Sequence, residues 1–580
     1  MISIEVEKFI KEMALPDSFI QTVEAGYYPL AENVFNAFEV HKIHTSQPLM
    51  LGVQGVQGCG KSTCSEFLKL ILAQRYGLNS VVISIDDFYL TRNARQELAR
   101  SMHPLFATRG VPGTHDLSLA ETTLLGLLQQ TSEQTVEIPR FDKSNDDRYS
   151  QADWDVNIQP VEVVIFEGWC IGLPPIAIDG LAQPINPLEA ELDSNAKWRT
   201  YMAKMLNGEY QQLFGLLDRL LVIQAPSFEC VKKWRLLQEQ KLRDRLCADG
   251  IEHEASNLMS EAQIMQFIQH YERLSEHALK SLPKIADWVM QLDEQHCVVS
   301  VSHQAGKNEH SGMLVSTDLD GTLLDHHNYS WQAAKPAMRA LNSYDIPIIL
   351  NSSKTMSEVL YLQAAMHLDS PMIVENGSAV FLPKAYVKEV QSENLTQVGD
   401  YYCKTFGLDR QQILDVAYAL REEKGYDFQG FHDWSVDKIS ATTGLTYEEA
   451  KRAADKSFSE PIVWQGSEVE FIEFAEQLSS QKIKILKGGR FFHLQGQTDK
   501  AQPLLWLKVW LNEHYDLEVE RIICLGDNHN DVDMLNVADV AVCVKSPVAE
   551  FPQIKNQNTI YTQYYGPVGW NQAVLQLLIK

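Results

Sequence analysis

Residues 52–63 read GVQGVQGCGKST, and within them Gly55, Gly60, Lys61 and Ser62 complete the pattern G-x-x-x-x-G-K-[ST]. The apolar run PLMLGVQG precedes it, and the amphipathic stretch KSTCSEFLKLILAQRYG follows at once. No other feature of the chain limits its fold so tightly. A strand must end in a close loop, and a helix must begin there, for successive backbone N–H groups to converge on one anion. Gly55, Gly58 and Gly60 let the main chain approach phosphates, and the helix N-terminus adds a favourable dipole. Lys61 suits the β- and γ-phosphates of ATP, the Ser62 hydroxyl suits Mg2+, and Thr63 completes the nucleotide-binding set. A glycine-rich turn without a ligand is the plainer alternative.

The surrounding pattern agrees with the strand–loop–helix reading. NSVVISIDDF, VEVVIFEG and DRLLVIQAP are further short apolar runs bounded by turn residues, separated by longer amphipathic stretches. Such alternation predicts an α/β fold with a doubly wound parallel sheet. Ligands in such sheets lie at the carboxyl ends of strands, where SIDDFYL places Asp86 and Asp87. Asp86 is the natural general base for a substrate hydroxyl, and Asp87 a candidate ligand to Mg2+ or its water. Glu167 ends another strand and is a second acidic candidate for that metal. Adjacent acids at a strand end also serve simply to cap the next element.

The rhythm restarts in the second half with GMLVSTDLDG, IPIILNSS, PMIVENG, RIICLGDN and VAVCVKSP. The chain has 580 residues, too many for one ordinary core, so two domains are expected. The polar, aperiodic segment SVSHQAGKNEHSG places a linker at 301–312, between a domain at 1–300 and another at 313–580. The charged helical segments of about 383–490 read as an α+β insertion into the second core. In STDLDGT, Asp318 and Asp320 stand two residues apart as a strand ends, so both face one side. Asp318 is placed to attack phosphorus, giving an aspartyl-phosphate. Asp320 is placed to protonate the leaving oxygen and then to deprotonate water. A carboxylate approaching a phosphate dianion needs cations, and the chain offers Ser352, Lys500, Asp527 and Asp531 at later strand ends as partners or metal ligands.

Composition removes several function classes. A formal charge of −26 repels nucleic acid and anionic membranes, so neither is expected as a partner. Nine scattered cysteines without a CxxC pair read as reduced thiols of a cytoplasmic protein. The first residues carry early acids and do not form a signal peptide. The apolar run VEVVIFEGWCIG is broken by Glu167, and no run reaches the length of a membrane span.

Four motifs in order, SIDDFYLT, RGVPGTHD, IPRFDKSNDDR and FEGWCIG, make residues 30–295 resemble the P-loop small-molecule kinases. Within these the region is most similar to D-glycerate 3-kinases of the plant and fungal type. The resemblance implies ATP, Mg2+ and D-glycerate. Arg109, His115, Arg140 and Lys143 are then donors and cations able to hold a small carboxylate. The basic segment KKWRLLQEQKLRDR, 232–245, suits a lid over the transferring phosphoryl group, with a solvated helix face as its alternative.

The second half, with DLDGT, LNSSKT, TDKAQ and GDNHND in order, resembles the haloacid dehalogenase superfamily, whose core is Rossmann-like. That resemblance implies that Ser352, and with it Lys354, binds the phosphoryl group and that Lys500 offsets charge at Asp318. It also implies that Asp527 holds Mg2+ beside the Asp318 side chain and the Asp320 carbonyl, with Asp531 supporting the site. The runs ILNSSKT, IVENGSAVFLP and LKGGRFFHLQG over 313–575 are similar to mannosyl-3-phosphoglycerate phosphatases. The insertion is then a cap that excludes water and selects substrate. Lys487, Gly488, Gly489 and Arg490, together with Glu375, Asn376 and Gly377, are the implied substrate-facing residues.

The resulting expectation is a bifunctional enzyme. One half phosphorylates D-glycerate to 3-phosphoglycerate with ATP, and the other hydrolyses a glucosyl- or mannosyl-3-phosphoglycerate, each with Mg2+. A separate glycosyltransferase would act between them. The alternatives are a nucleoside or polyol kinase joined to a sucrose- or trehalose-phosphate phosphatase, or one half acting as a non-catalytic sensor.

Overall fold

The computed structural model describes residues 4–248, 259–303, 312–387, 395–488, 490–515 and 517–579. It divides into two compact units, one of 1–307 with 332–343 and 574–580, the other of 308–331 and 344–573.

The first unit is built on a six-stranded sheet in the order Val298–His303, Trp288–Leu292, Arg219–Gln224, Leu49–Gly55, Val163–Gly168, Ser80–Ser84. Every neighbouring pair is parallel except the edge pair formed by Val298–His303 and Trp288–Leu292. Leu49–Gly55 and Val163–Gly168 are buried along their whole length. This explains why both read as apolar runs, up to Gln54 and Glu167 near their ends, rather than as alternating ones. Helices pack on the sheet; Lys61–Tyr76, for example, buries Phe67, Leu68, Ile71 and Leu72 in the same core as Leu51 and Val53. The four strands anticipated in this half are all present. Val301–His303, placed in the linker by their polarity, complete the edge strand, where one side faces solvent and polar residues are tolerated. The rest of that linker, 304–311, lies outside the described residues.

The second unit carries a nine-stranded sheet in the order Thr396–Val398, Tyr401–Thr405, Ala379–Pro383, Met372–Val374, Ile348–Asn351, Met313–Thr317, Arg521–Gly526, Val540–Lys545, Thr559–Tyr565. From Met372–Val374 to Thr559–Tyr565 all pairings are parallel. The strands that bear the acidic motifs, Met313–Thr317 and Arg521–Gly526, lie side by side. A separate antiparallel sheet joins Phe428–Gly430, Ser459–Trp464, Phe491–Gly496 and Ile483–Gly488. The helices Arg410–Lys424 and Glu468–Ser480 cover one face of it, with Ile413, Ala417, Phe474 and Leu478 packed on Ile462, Ile483 and Leu494.

This second sheet is the inserted α+β module, and it begins later than the sequence indicated. The run of charged helical segments places its start at about 383, yet Tyr401–Thr405 pairs with Ala379–Pro383 in the core sheet. The polar hairpin Thr396–Thr405 sits on an open sheet edge, where charge and exposure are normal, and so reads like an insertion. Among the described residues no helix is long and apolar enough to cross a membrane.

Candidate active sites

In the first unit, strand Leu49–Gly55 runs into a loop with Gly58 at φ 80° and Gly60 at φ 89°, and helix Lys61–Tyr76 starts on Gly60. Both values lie in the left-handed region, which favours glycine. A Cβ on Gly58 would also lie 3.1 Å from Trp234 Cβ. The loop has the shape that turns N–H groups toward one anion.

Ser62 Oγ donates to Glu167 Oε1 at 2.9 Å, although the two residues come from different elements. Glu167 is buried, and its Oε2 has no hydrogen-bond partner. Burial raises the Glu167 carboxyl above the usual range, against the opposing charge of Lys61. Burial alone would lower Lys61, but Glu167, Cys59 and Asp86 outweigh it and leave its ammonium raised. Hydroxyl, carboxylate and ammonium therefore meet at the loop as a phosphate and its cation require.

Asp86 and Asp87 occupy one 3-10 turn, Ile85–Phe88, on which adjacent side chains diverge by about 120°. Asp86 accepts from Tyr89 Oη and Lys143 Nζ, both at 2.8 Å. Burial would raise its carboxyl, but Lys143 and Lys61 outweigh that and hold it well below the ordinary carboxylate range. Asp87 takes another direction and pairs with Arg140 at 2.7 Å, while Arg140 also pairs with Asp155 at 2.7 Å.

Several of the expected residues have partners within the protein. Asp87 pairs with Arg140, and Arg140 also pairs with Asp155. Arg109 is paired with Asp146 and lies over the Phe141 ring, so it too has a partner. His115 is no cation, because burial pushes its imidazole down to about 4. Its Nδ1 lies 2.6 Å from Tyr210 Oη, its ring stacks on Tyr89 at 4.6 Å, and its Nε2 is buried without a partner. Of the four proposed substrate donors, only Lys143 joins Asp86. Tyr89, Tyr210 and Tyr271, whose Oη donates to Arg109 O at 2.9 Å, carry no charge in the sequence to draw attention, although Tyr89 lies within SIDDFYL.

The segment read as a lid lies within helix Phe228–Ala248. There Arg235 pairs with Glu239 at 2.6 Å, and Trp234 Nε1 donates to Glu294 O at 2.9 Å.

The second unit brings its four motifs together. Lys500 Nζ donates to Asp318 Oδ1 at 2.6 Å and to Asp531 Oδ1 at 2.7 Å. Asp531 Oδ2 in turn accepts from the backbone N–H groups of Asp527 and Asn528, both at 3.1 Å. Thr322 Oγ1 donates to Asp527 Oδ1 at 3.0 Å, and Asn351 Nδ2 donates to Lys500 O at 2.9 Å. Asp318, Asp527 and Asp531 each offer an oxygen within 4.8 Å of the others, and all three are buried. Burial raises the carboxyls of Asp318 and Asp527; Lys500 opposes this, and the neighbouring carboxylates add to it. Three buried oxygen donors sharing one ammonium suit a hard divalent cation such as Mg2+.

Asp320 stands apart from that cluster. Its side chain is 42% exposed, its Oδ2 pairs with Lys354 Nζ at 2.9 Å, and its Oδ1 is buried without a partner. Ser352 Oγ accepts from Lys354 N at 3.2 Å, and Asn376 N donates to Ser352 O at 3.0 Å, so these three lie beside one another.

The expected cap cations are displaced. Lys487 pairs in register with Phe492, 6.0 Å from its Nζ, and Phe492 packs on the helix-covered face of the inserted sheet. Cross-strand partners share a face, so Lys487 points away from the core. Arg490 is exposed and donates to Thr442 O at 2.9 Å. Gly489 lies outside the described residues. The core-facing side instead carries Ser459, Lys484, His493 and Gln495, and the neighbouring Lys456 reaches Ser353 O at 3.2 Å. The period-two alternation of LKGGRFFHLQG could have separated the two faces, given knowledge of which one the helices cover.

The haloacid dehalogenase-like hydrolase family model matches residues 315–563. A glucosyl-3-phosphoglycerate/mannosyl-3-phosphoglycerate phosphatase of Persephonella marina is 33% identical over 269 residues, spanning 46% of this chain and 97% of that protein. A protein of the same description from Methanococcoides burtonii is 32% identical over 268 residues, again 46% and 97%. Among solved structures, a D-glycerate 3-kinase from Cryptococcus neoformans is 25% identical with a TM-score of 0.41, covering 48% of this chain and 98% of that one.

Proposed function

We propose, for a chain that belongs through residues 315–563 to the haloacid dehalogenase-like hydrolases, that its second half dephosphorylates a glycosyl-3-phosphoglycerate and its first half phosphorylates D-glycerate with ATP. The observation that carries the first part is Lys500 held between Asp318 and Asp531 beside Asp527. That arrangement sets the Asp318 carboxyl, which burial raises, against an ammonium beside the position a phosphate must occupy, and a bound cation would favour its ionised form.

Asp318, Asp527 and Asp531 would hold Mg2+, which when bound supplies positive charge against the phosphate dianion. Asp318 attacks phosphorus, and the P–O bond to the glyceryl oxygen breaks. Asp320, at the mouth of the site, gives that oxygen its proton. In the second half-reaction Asp320 takes a proton from water, whose oxygen displaces Asp318 and releases inorganic phosphate. Lys500 and Ser352 orient the phosphoryl group throughout.

In the first half Lys61 and the Gly55–Gly60 loop cradle the ATP phosphates, and Ser62 with Glu167 would hold the accompanying Mg2+. Asp86 aligns the glycerate hydroxyl and receives its proton as the γ-phosphoryl group arrives and ADP leaves. A carboxylate as acidic as Asp86 works mainly by alignment, which suits a loose transition state. Lys143, bound to Asp86, is the cation best placed for the glycerate carboxylate.

Neither proposed reaction forms a glycosidic bond. A separate glycosyltransferase would therefore join sugar to the 3-phosphoglycerate made by the first half, before the second half acts. Phosphate release from glucosyl- and mannosyl-3-phosphoglycerate, and ADP formation dependent on D-glycerate, test the two parts. Loss of the first activity in Asp318→Asn and of the second in Lys61→Ala is the expected result.

A further inference from the structure

The inserted module of the second unit meets the core along a polar seam. The Glu375 carboxylate accepts from Ser457 N at 2.9 Å and Phe458 N at 3.2 Å, fixing the loop that carries Lys456. Lys456 Nζ then lies 3.2 Å from Ser353 O, between the two residues Ser352 and Lys354 that flank the phosphoryl position. Among the described residues no carboxylate pairs with Lys456. An ammonium delivered to such a place with only a carbonyl for company retains donors for an anion.

One strand away, Asn376 Nδ2 donates to Gln495 Oε1 at 3.2 Å. The other ends of both amides, Asn376 Oδ1 and Gln495 Nε2, are buried with no partner. Asn376 is 6% exposed and Gln495 is fully buried. Buried polar atoms without partners are rare in folded proteins, because they lose water and gain nothing in return. Here the orphans are one acceptor and one donor, the pair that a single hydroxyl satisfies by donating to Asn376 and accepting from Gln495. His493 shares the Gln495 face, and burial followed by the Lys456 charge pushes it down to about 4, so it adds a neutral ring. Asn376 belongs to the core and Gln495 to the inserted module, so the amide pair exists only when the two are together.

We propose that this seam is the specificity site for the leaving group of the phosphomonoester, with Lys456 taking a carboxylate and the Asn376–Gln495 pair taking one hydroxyl. The assignment rests on the phosphatase reading of this unit and deepens it.

The test is a panel of phosphomonoesters assayed with wild type, Lys456→Met, Gln495→Leu and the isosteric Gln495→Glu, which lacks the donor. The panel contains p-nitrophenyl phosphate, glycerol phosphate, 3-phosphoglycerate and the glucosyl- and mannosyl-3-phosphoglycerates. Lys456→Met is expected to lower kcat/KM for the carboxylate-bearing esters at least tenfold more than for p-nitrophenyl phosphate, chiefly through KM. Both Gln495 variants are expected to do the same for the glycosyl esters. Equal slowing of every ester, or a change in kcat alone, overturns the proposal. Failure of the phosphatase reading shows separately, as a wild type without preference for the glycosyl esters; the ratios within the panel still judge the seam.

Discussion

Lys500 Nζ sits 2.6 Å from Asp318 Oδ1 and is the one ammonium that both Asp318 and Asp531 contact among the described residues. A single positive charge thus serves a cluster of three buried carboxylates, Asp318, Asp527 and Asp531. Replacing the nucleophile should abolish turnover yet relieve repulsion. Asp318→Asn is expected to cut phosphate release at least ~10³-fold. In chelator-treated protein the same variant is expected to unfold at a higher temperature than wild type. Lys500→Ala should lose activity to a similar degree but be destabilised, by about 3–5 kcal/mol, because it leaves the carboxylates unpaired. Calorimetry with and without Mg2+ separates the two.

Metal should stabilise the second unit through the same cluster. At 100 times the dissociation constant a ligand adds about 2.7 kcal/mol to the folded state. Thermal midpoints measured with increasing Mg2+ are expected to rise for wild type and to stay nearly flat for Asp527→Asn.

Gly321 ties the nucleophile loop to the metal loop. Its φ is 82°, and a Cβ there would stand 2.7 Å from Asp527 Oδ2. Gly321→Ala should cost about 1–3 kcal/mol from backbone strain. It should also raise the Mg2+ concentration needed for half-maximal activity, which a metal titration of phosphate release would show.

His115 gives a pH signature for the first unit. Its pKa is lowered to about 4 by burial, against 6.5 for an ordinary histidine. Between those values the unfolded chain binds a proton that the folded chain refuses, so stability falls as pH drops through this window. The stability contribution is complete above about 6.5 and lost by about 4, amounting to roughly 3 kcal/mol. His115→Asn removes this dependence. The stability advantage of wild type over the variant is expected to shrink by that amount between pH 7 and pH 4, measured by urea unfolding.

The residues that carry backbone-defined chemistry were legible in the sequence because their positions are local. The Gly55–Ser62 loop and the Asp318–Thr322 turn each follow a buried strand, and strand–loop adjacency is written in consecutive letters. What could not be read was pairing across space. Arg109 and Arg140 look like free cations until the short hairpin of Phe141–Asp142 and Asp147–Arg148 brings up Asp146 and the neighbouring segment brings up Asp155. Lys487 and Lys484 lie in one strand, and only the helix cover over Ile485 and Leu494 decides which faces the core. An odd-numbered step reverses the side, so a motif alone names the strand and not the residue.

The most direct measurement is phosphorus NMR of the intact chain with Mg2+, ATP, D-glycerate and glucosyl-3-phosphoglycerate together. Wild type is predicted to convert ATP to ADP with a new phosphoglycerate resonance, and to release inorganic phosphate from the glycosyl ester. Lys61→Ala is predicted to lose only the first conversion and Asp318→Asn only the second. Loss of both conversions in either variant, or of neither, would contradict two independent sites in one chain.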